Sequence, residues 1–363
     1  MKNDKKAIIS PFAALCVLLF IIIGTVYLIT DASTSFADMV NSTVSHGFRR
    51  LMAAFGDVFP FSLFEVLVIC IPLILFFVIK RAVKCFGNRE GRLRFVINLS
   101  AVVLLIYSGH LLALGVAHNT TPVSQKMNLN ETEVTEENLT ETLTLLRDEI
   151  NLLADSLPRN DDGVFDPGYS FDDISTEVVR SYDALAQIYG FNEGFDSRAK
   201  GVKNGWAMSY LGISGIYTYP TGEANVNTSY PAYVRIFTAA HEMCHQRGFL
   251  RENEANFLAY LITFTSEDLN LRYSGAMNMY NYFASALYKT NKEAYYEIHA
   301  ELSQSAKTDF RAANAVSEKY GDTIIEDISD WINDFYLQSS GSEGIISYSR
   351  VVELVLAYYN TDK

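Results

Sequence analysis

Tyr233–Leu261 reads YVRIFTAAHEMCHQRGFLRENEANFLAYL. Within it His241-Glu242-Met243-Cys244-His245 forms an HExxH motif. Residues four apart share one face of a helix. Both imidazoles can therefore take one Zn²⁺ between them, with Glu242 beside it as general base. Local signals agree with a helix here. Pro231 suits a first helical position and Gly248 a left-handed stop. After that turn, Glu252-Asn253-Glu254-Ala255-Asn256 opens a second apolar-periodic helix. A hydrolytic zinc site takes three protein ligands and keeps the fourth position for water. Glu252 and Glu254 point about 200° apart on a helix, so one of them faces the metal. Glu252 has Asn256 one turn later on its own face, where an amide can hydrogen-bond a liganding imidazole. Glu254 has Leu258 at the same offset. The expected centre is thus His241, His245 and Glu252 around one Zn²⁺ per chain, with Glu242 catalytic and Asn256 in support. The plain alternative is a chance HExxH on a solvated helix. With six histidines in the chain, that coincidence is unfavourable even before the second acidic cluster is counted. Cys244, at i+3 from His241, is expected to pack behind the helix rather than touch the metal.

An HExxH followed by E-x-x-A-[DN] resembles the gluzincin metallopeptidases, whose third ligand is the first Glu of the second motif; here that is Glu252. HEMCHQRGF with ENEANF also resembles a bacterial membrane family, the domain of unknown function 3810 group. YTYPTGEANVN (Tyr217–Asn227) and GIISY (Gly344–Tyr348) carry the same resemblance. It covers nearly the whole chain, membrane part included, and its label implies no substrate.

The 363 residues divide sharply in charge. Residues 1–117 hold eleven Lys/Arg and six Asp/Glu; the other 18 and 36 fall in residues 118–363, a formal charge of −18 there. So acidic a part argues against nucleic-acid binding. Only one of the four cysteines, Cys244, lies in it, so no disulfide framework forms there within one chain. The basic part carries three apolar runs at about 7–30, 59–79 and 95–117, each near the ~20 residues that cross a bilayer. No clear cleavage site follows the first, which reads as a retained span. Lys80, Arg81, Lys84, Arg89, Arg92 and Arg94 lie between the second and third runs against one acid, Glu90. By the positive-inside rule this loop and the Lys-bearing N-terminus are cytoplasmic, and three spans put the acidic part outside. Phe48–Phe55 is weakly amphipathic: a surface-lying helix, or an ordinary short one.

The domains expected are a membrane domain over 1–117, a linker over 118–135, and an extracytoplasmic zincin-like catalytic domain over 136–363. Helices are expected at Glu136–Leu157, capped by Thr135, and at Asp173–Tyr189, ended by Gly190. Further helices are expected at Ile324–Leu337 and Ser347–Tyr359. Ala207–Asn227, rich in Gly, Tyr, Ile and Thr, reads as strands or a hairpin. Within it Asn225, Val226 and Asn227 are the candidate edge strand that would pair with an extended substrate; a plain structural strand is the alternative. The fold class is therefore three N-terminal transmembrane helices followed by a mainly α, α+β zincin-like domain with a small antiparallel sheet. Candidate oxyanion donors are Tyr348, and Tyr273 or Arg272; for each of them a structural role is the favoured alternative.

The function expected is peptide-bond hydrolysis outside the cytoplasm of a bacterial cell, by a membrane-anchored zinc metalloprotease in which Glu242 activates a water on the metal. Its partners are a peptide or protein substrate and the lipid bilayer; nothing in the sequence points to an oligomeric state. The rival is a non-enzymatic membrane sensor or assembly factor with a structural or vestigial metal, which has no need of Glu242. Intramembrane proteolysis fits poorly, because no run of about 20 apolar residues contains the motif.

Overall fold

A computed structural model describes residues 8–192, 194–321 and 347–361, with side chains described from residue 350 in the last stretch. The chain is mainly helical. Its first half runs α1 (Pro11–Ala32), α2 (Thr34–Val40), a π turn at Asn41–Ser45, α3 (His46–Asp57), α4 (Leu63–Cys85) and α5 (Arg89–His110). α5 continues through a π turn at Leu111–Gly115 into α6 (Val116–His118). Among the described residues three helical segments are long and apolar enough to cross a membrane: Pro11–Ala32, Leu63–Cys85 and Arg89–His118. Their outward residues, such as Ile21, Ile69, Phe76 and Val103, are exposed in the isolated chain, as lipid-facing side chains are.

Next come α7 (Val123–Lys126), α8 (Glu136–Ala154), α9 (Phe171–Tyr189), β1 (Ala199–Val202), α10 (Gly205–Ser209), β2 (Gly215–Thr218) and β3 (Glu223–Asn227). The chain then forms α11 (Ala232–Arg247), α12 (Glu252–Phe264), α13 (Leu269–Thr290), α14 (Lys292–Ala300), α15 (Gln304–Tyr320) and α16 (Ser347–Thr361). The caps fall where the side chains call for them. Thr135 accepts from the Asn138 N–H at the head of α8, Ser170 and Asp173 cap each other's backbone on α9, and Gly190 ends α9 in the left-handed region. The expected helix at Ile324–Leu337 and the Gly344–Ile346 part of GIISY lie outside the described residues.

The sheet is mixed, not antiparallel as the sequence reading had it. Its order is β1-β3-β2, with β1 parallel and β2 antiparallel to β3. The missed strand, AKGV, is four residues long and lies before α10, so no alternating pattern announces it. α11 lies against this sheet on one side and α12 and α13 on another, in a core that includes Ile236, Met243, Phe257, Tyr260, Met277 and Phe283. Such enclosure explains why α11 buries nearly all round instead of along one stripe.

The two halves are bonded together. The segment read as a linker is packed: Arg251 donates to the carbonyls of His118 and Thr120, and the Val123 N–H donates to Glu254. Arg49 of α3 is buried and donates to Asn41 Oδ1 at 2.9 Å and to the carbonyls of Ala113 and Arg247. Burial pulls its guanidinium down to about 10, which leaves it cationic at neutral pH.

Candidate metal centre

α11 ends at Gly248, whose φ of +99° reverses the chain. Four residues later α12 begins with Glu252, and its carboxylate comes back over the motif. His241 Nε2 lies 3.3 Å from Glu252 Oε2, and His245 Nε2 lies 3.4 Å from Glu252 Oε1. The two imidazoles stand edge to face with centroids 4.5 Å apart. One ligand atom from each of His241, His245 and Glu252 falls within 4.8 Å of the others. Two neutral imidazole nitrogens and a carboxylate oxygen are a donor set suited to zinc. A second observation supports the fit. His245 Nδ1 is 2.7 Å from the Phe249 carbonyl, an arrangement that puts the proton on Nδ1 and leaves Nε2 free to bind a metal.

The electrostatics of the cluster favour positive charge beside Glu252. Burial works against the charged imidazole of His245, yet the Glu252 carboxylate beside it holds it up to about 9. Burial likewise works against ionised Glu252, but His245 and His241 hold it well below the ordinary carboxylate range. Glu242 is buried next to the cluster, and that burial pushes its carboxyl up despite the neighbouring histidines.

Glu254 turns the other way. Its carboxylate is buried and accepts from the Val123 N–H at 2.9 Å and from Arg251 at 3.0 Å. Cys244 is fully buried in the core and outside the cluster. Three expectations need correction. Asn256 bonds neither imidazole: its amide donates to the Glu252 carbonyl at 2.9 Å, because a short side chain on a helix reaches its own i−4 carbonyl first. Tyr273 is fully buried and gives its hydroxyl to Asp309 at 2.5 Å, in a network with Arg159. Arg272 is paired with Glu149. Neither is at the cluster. The side chain of Tyr348 lies outside the described residues.

The third correction concerns the edge strand. Asn225, Val226 and Asn227 belong to β3, the central strand, and are fully buried between two partners. The outer strands are β1 and β2, and β2 is the one that lies beside Glu242. The Asn227 N–H donates to the Ser214 carbonyl, so alternation along the ladder turns the backbone of Gly215 and Tyr217 outward. The Tyr217 N–H lies near enough to the Glu242 carboxylate to favour its ionised form slightly. A Cβ on Gly215 would stand 2.7 Å from Glu242 Oε1 and overlap the Thr238 methyl. A glycine alone in a strand pattern marks such a close backbone approach, and Gly215 was the sequence signal for this edge. His118, at the end of the third apolar segment, is also within electrostatic range of His245 and Glu252, and nothing in the motif's spacing points to it.

The family model described as "Protein of unknown function (DUF3810)" matches residues 36–356. The chain belongs to this family. The match takes in α3, all three strands and both motifs, so the bonded halves described above are one family unit. No curated protein and no solved structure matches the chain.

Proposed function

We propose that this member of the family is a zinc-dependent metallopeptidase with a zincin-like active site. One observation carries the reading: His241, His245 and Glu252 converge beside a buried Glu242 at the open edge of β2. His241, His245 and Glu252 would hold the metal. When bound, it supplies Lewis acidity toward the scissile carbonyl and toward water. Glu242, as the carboxylate, takes a proton from the attacking water and returns it to the leaving nitrogen. Its burial suits the base half of that task, because it raises the proton affinity of the carboxylate. The outward backbone of Gly215 and Tyr217 offers an extended peptide a strand to pair with, directly beside Glu242.

The test uses the full chain in lipid nanodiscs, with metal analysis and a peptide-library digest read by mass spectrometry. Glu242→Gln should keep the metal and lose hydrolysis about 10²- to 10⁴-fold, the usual worth of a general base. If Glu242→Gln cleaves as the parent does, the hydrolytic role is wrong. If the parent binds metal but cleaves nothing, the structural-metal alternative takes its place.

A further inference from the structure

The sites of Gly215–Tyr217 and of the metal cluster both rest on the far end of the third apolar segment. Ala113, Leu114 and Ala117 form a small core with Leu250, from the turn between the motif helices, and with Phe48, Tyr217 and Tyr219. Tyr219 gives its hydroxyl to the Ile106 carbonyl at 2.6 Å and sets its ring against His110 and Gly109. At 1.5 Å per residue, about 20 residues span the hydrocarbon layer. Counted from Arg89 or Arg94, where the basic loop ends, the far boundary falls between Gly109 and Leu114. α4 gives a second ruler: from Lys80 back to Leu63 is about 26 Å. At that far end the N–H groups of Leu63 and Phe64 both donate to Glu223 of β3, at 2.9 Å each. α1 runs beside the third segment, with Ser10 bonded to Asn98 and Thr30 to Asn119, so it crosses the same layer. The first two rulers set the sheet's hairpin at the bilayer boundary. His118, whose carbonyl accepts from Arg251 just before Glu252, stands about 6 to 14 Å above it.

α3 lies at the same level, and its two faces differ. Arg49, Ala53 and Gly56 are buried toward the sheet. Gly222, at φ +70°, sits so close to Met52 and Ala53 that a Cβ there would overlap their backbone. On the other face Leu51, Phe55 and Val58 are 63%, 54% and 73% exposed. Their i, i+4, i+7 spacing makes one apolar stripe. It ends five residues before α4 begins, so it continues the lipid-facing surface of the spans.

We propose that α3 lies in the lipid headgroup layer with Leu51, Phe55 and Val58 among the acyl chains, and that the metal centre therefore acts on polypeptide emerging from the same bilayer. The substrate class is the juxtamembrane segment of a membrane-anchored protein, cut within about ten residues of the hydrocarbon boundary, the extended reach from the boundary to the cluster plus slack. This rests on the metallopeptidase reading. An anchored chain that leaves the membrane in an extended form reaches β2 at that height.

Two measurements on the full chain test it. In the first, the protein is reconstituted in phosphatidylcholine vesicles doped with a lipid bearing an acyl-chain diazirine, and labelled peptides are mapped after irradiation. Leu51, Phe55 and Val58 should be labelled along with the three spans, and α14 should not. An unlabelled α3 overturns the placement, whatever the enzyme does. In the second, new N-termini are compared between native membranes carrying the parent and those carrying Glu242→Gln. Glu242-dependent cuts should fall in membrane-anchored proteins within about ten residues of a span. Cuts spread through soluble proteins, or far from any span, overturn this inference and leave the hydrolase reading standing. No Glu242-dependent cut at all takes down both.

Discussion

Two hairpins meet at the candidate centre, and they are built on different kinds of information. The helical one, α11–Gly248–α12, closes within one stretch of chain: its ligands, its reversal and its second acid lie between His241 and Asn256. The strand one, β2–β3, is held from far away. Its turn seats on Met52 and Ala53, its Glu223 caps α4 and pairs with Lys200 at 2.7 Å, and Asn225 bonds Ser62 at 2.7 Å. The contrast teaches that the chemistry is encoded locally while the platform beside it is set by the membrane half.

The largest effect should come from breaking the strand hairpin's seat. Gly222→Val forces both a left-handed backbone and an overlap with α3, and should cost about 4 kcal/mol or more. Thermal unfolding of the full chain in nanodiscs should show a large drop in midpoint, with β2 and β3 losing hydrogen-exchange protection first. Unchanged stability would mean the two halves are not coupled through this turn.

Next is the comparison inside the helical hairpin. Glu252→Gln should empty the metal site while the fold persists. Glu254→Gln should keep the metal and instead destabilise by about 1–3 kcal/mol, because Arg251 loses its charged partner there. Metal content and melting of the two variants, measured side by side, check this. Loss of metal in Glu254→Gln alone would reverse the ligand assignment.

A smaller and graded effect should appear with pH. In the metal-free site His245 is raised to about 9 and Glu252 is depressed, so below about pH 9 the metal must displace a proton. Apparent affinity should rise about tenfold per pH unit from pH 6.5 to 9, then flatten. The metal-free pair has the opposite dependence: its contribution to stability is full below the ordinary histidine range and is lost as pH rises through about 9. Competition titrations with a chelator across this range, together with melts of the metal-free chain, read both signs.

The smallest effect is reserved for Asn256→Ala. Its amide serves the Glu252 carbonyl and no imidazole, so metal affinity should change by less than about threefold. A loss of tenfold or more would restore Asn256 to the role its spacing suggests.

What the sequence showed follows from the same division. The helix at Glu136 with its Thr135 cap, the next helix with its Gly190 stop, and the convergence of the motif residues were legible because helix period and capping are local rules; the Ser170–Asp173 cap of that second helix, which begins two residues before its expected start, was not read. The sheet order was not, since β1 is four residues long and pairs with a strand more than twenty residues later. Tyr273 is structural, the alternative the sequence favoured, but its partners, Asp309 and Arg159, lie 36 and more residues away and are found only through packing. Arg49 belongs to the same class. In the sequence it is one of two arginines on a short amphipathic helix, and only three distant carbonyl and amide groups make it a buried hub.

The seat of Gly222 on Met52 and Ala53 also sets an order of assembly. The two sites are separated by about 170 residues of chain, and ribosomes add roughly 5–20 residues per second. For about ten to thirty seconds α3 exists without the turn that covers its inner face, and Arg49 without the carbonyl of Arg247. The membrane half is thus a template finished early, against which the later-made sheet and motif helices close. A nascent chain released before Arg247 leaves that template open, with a cation and a row of small residues facing water.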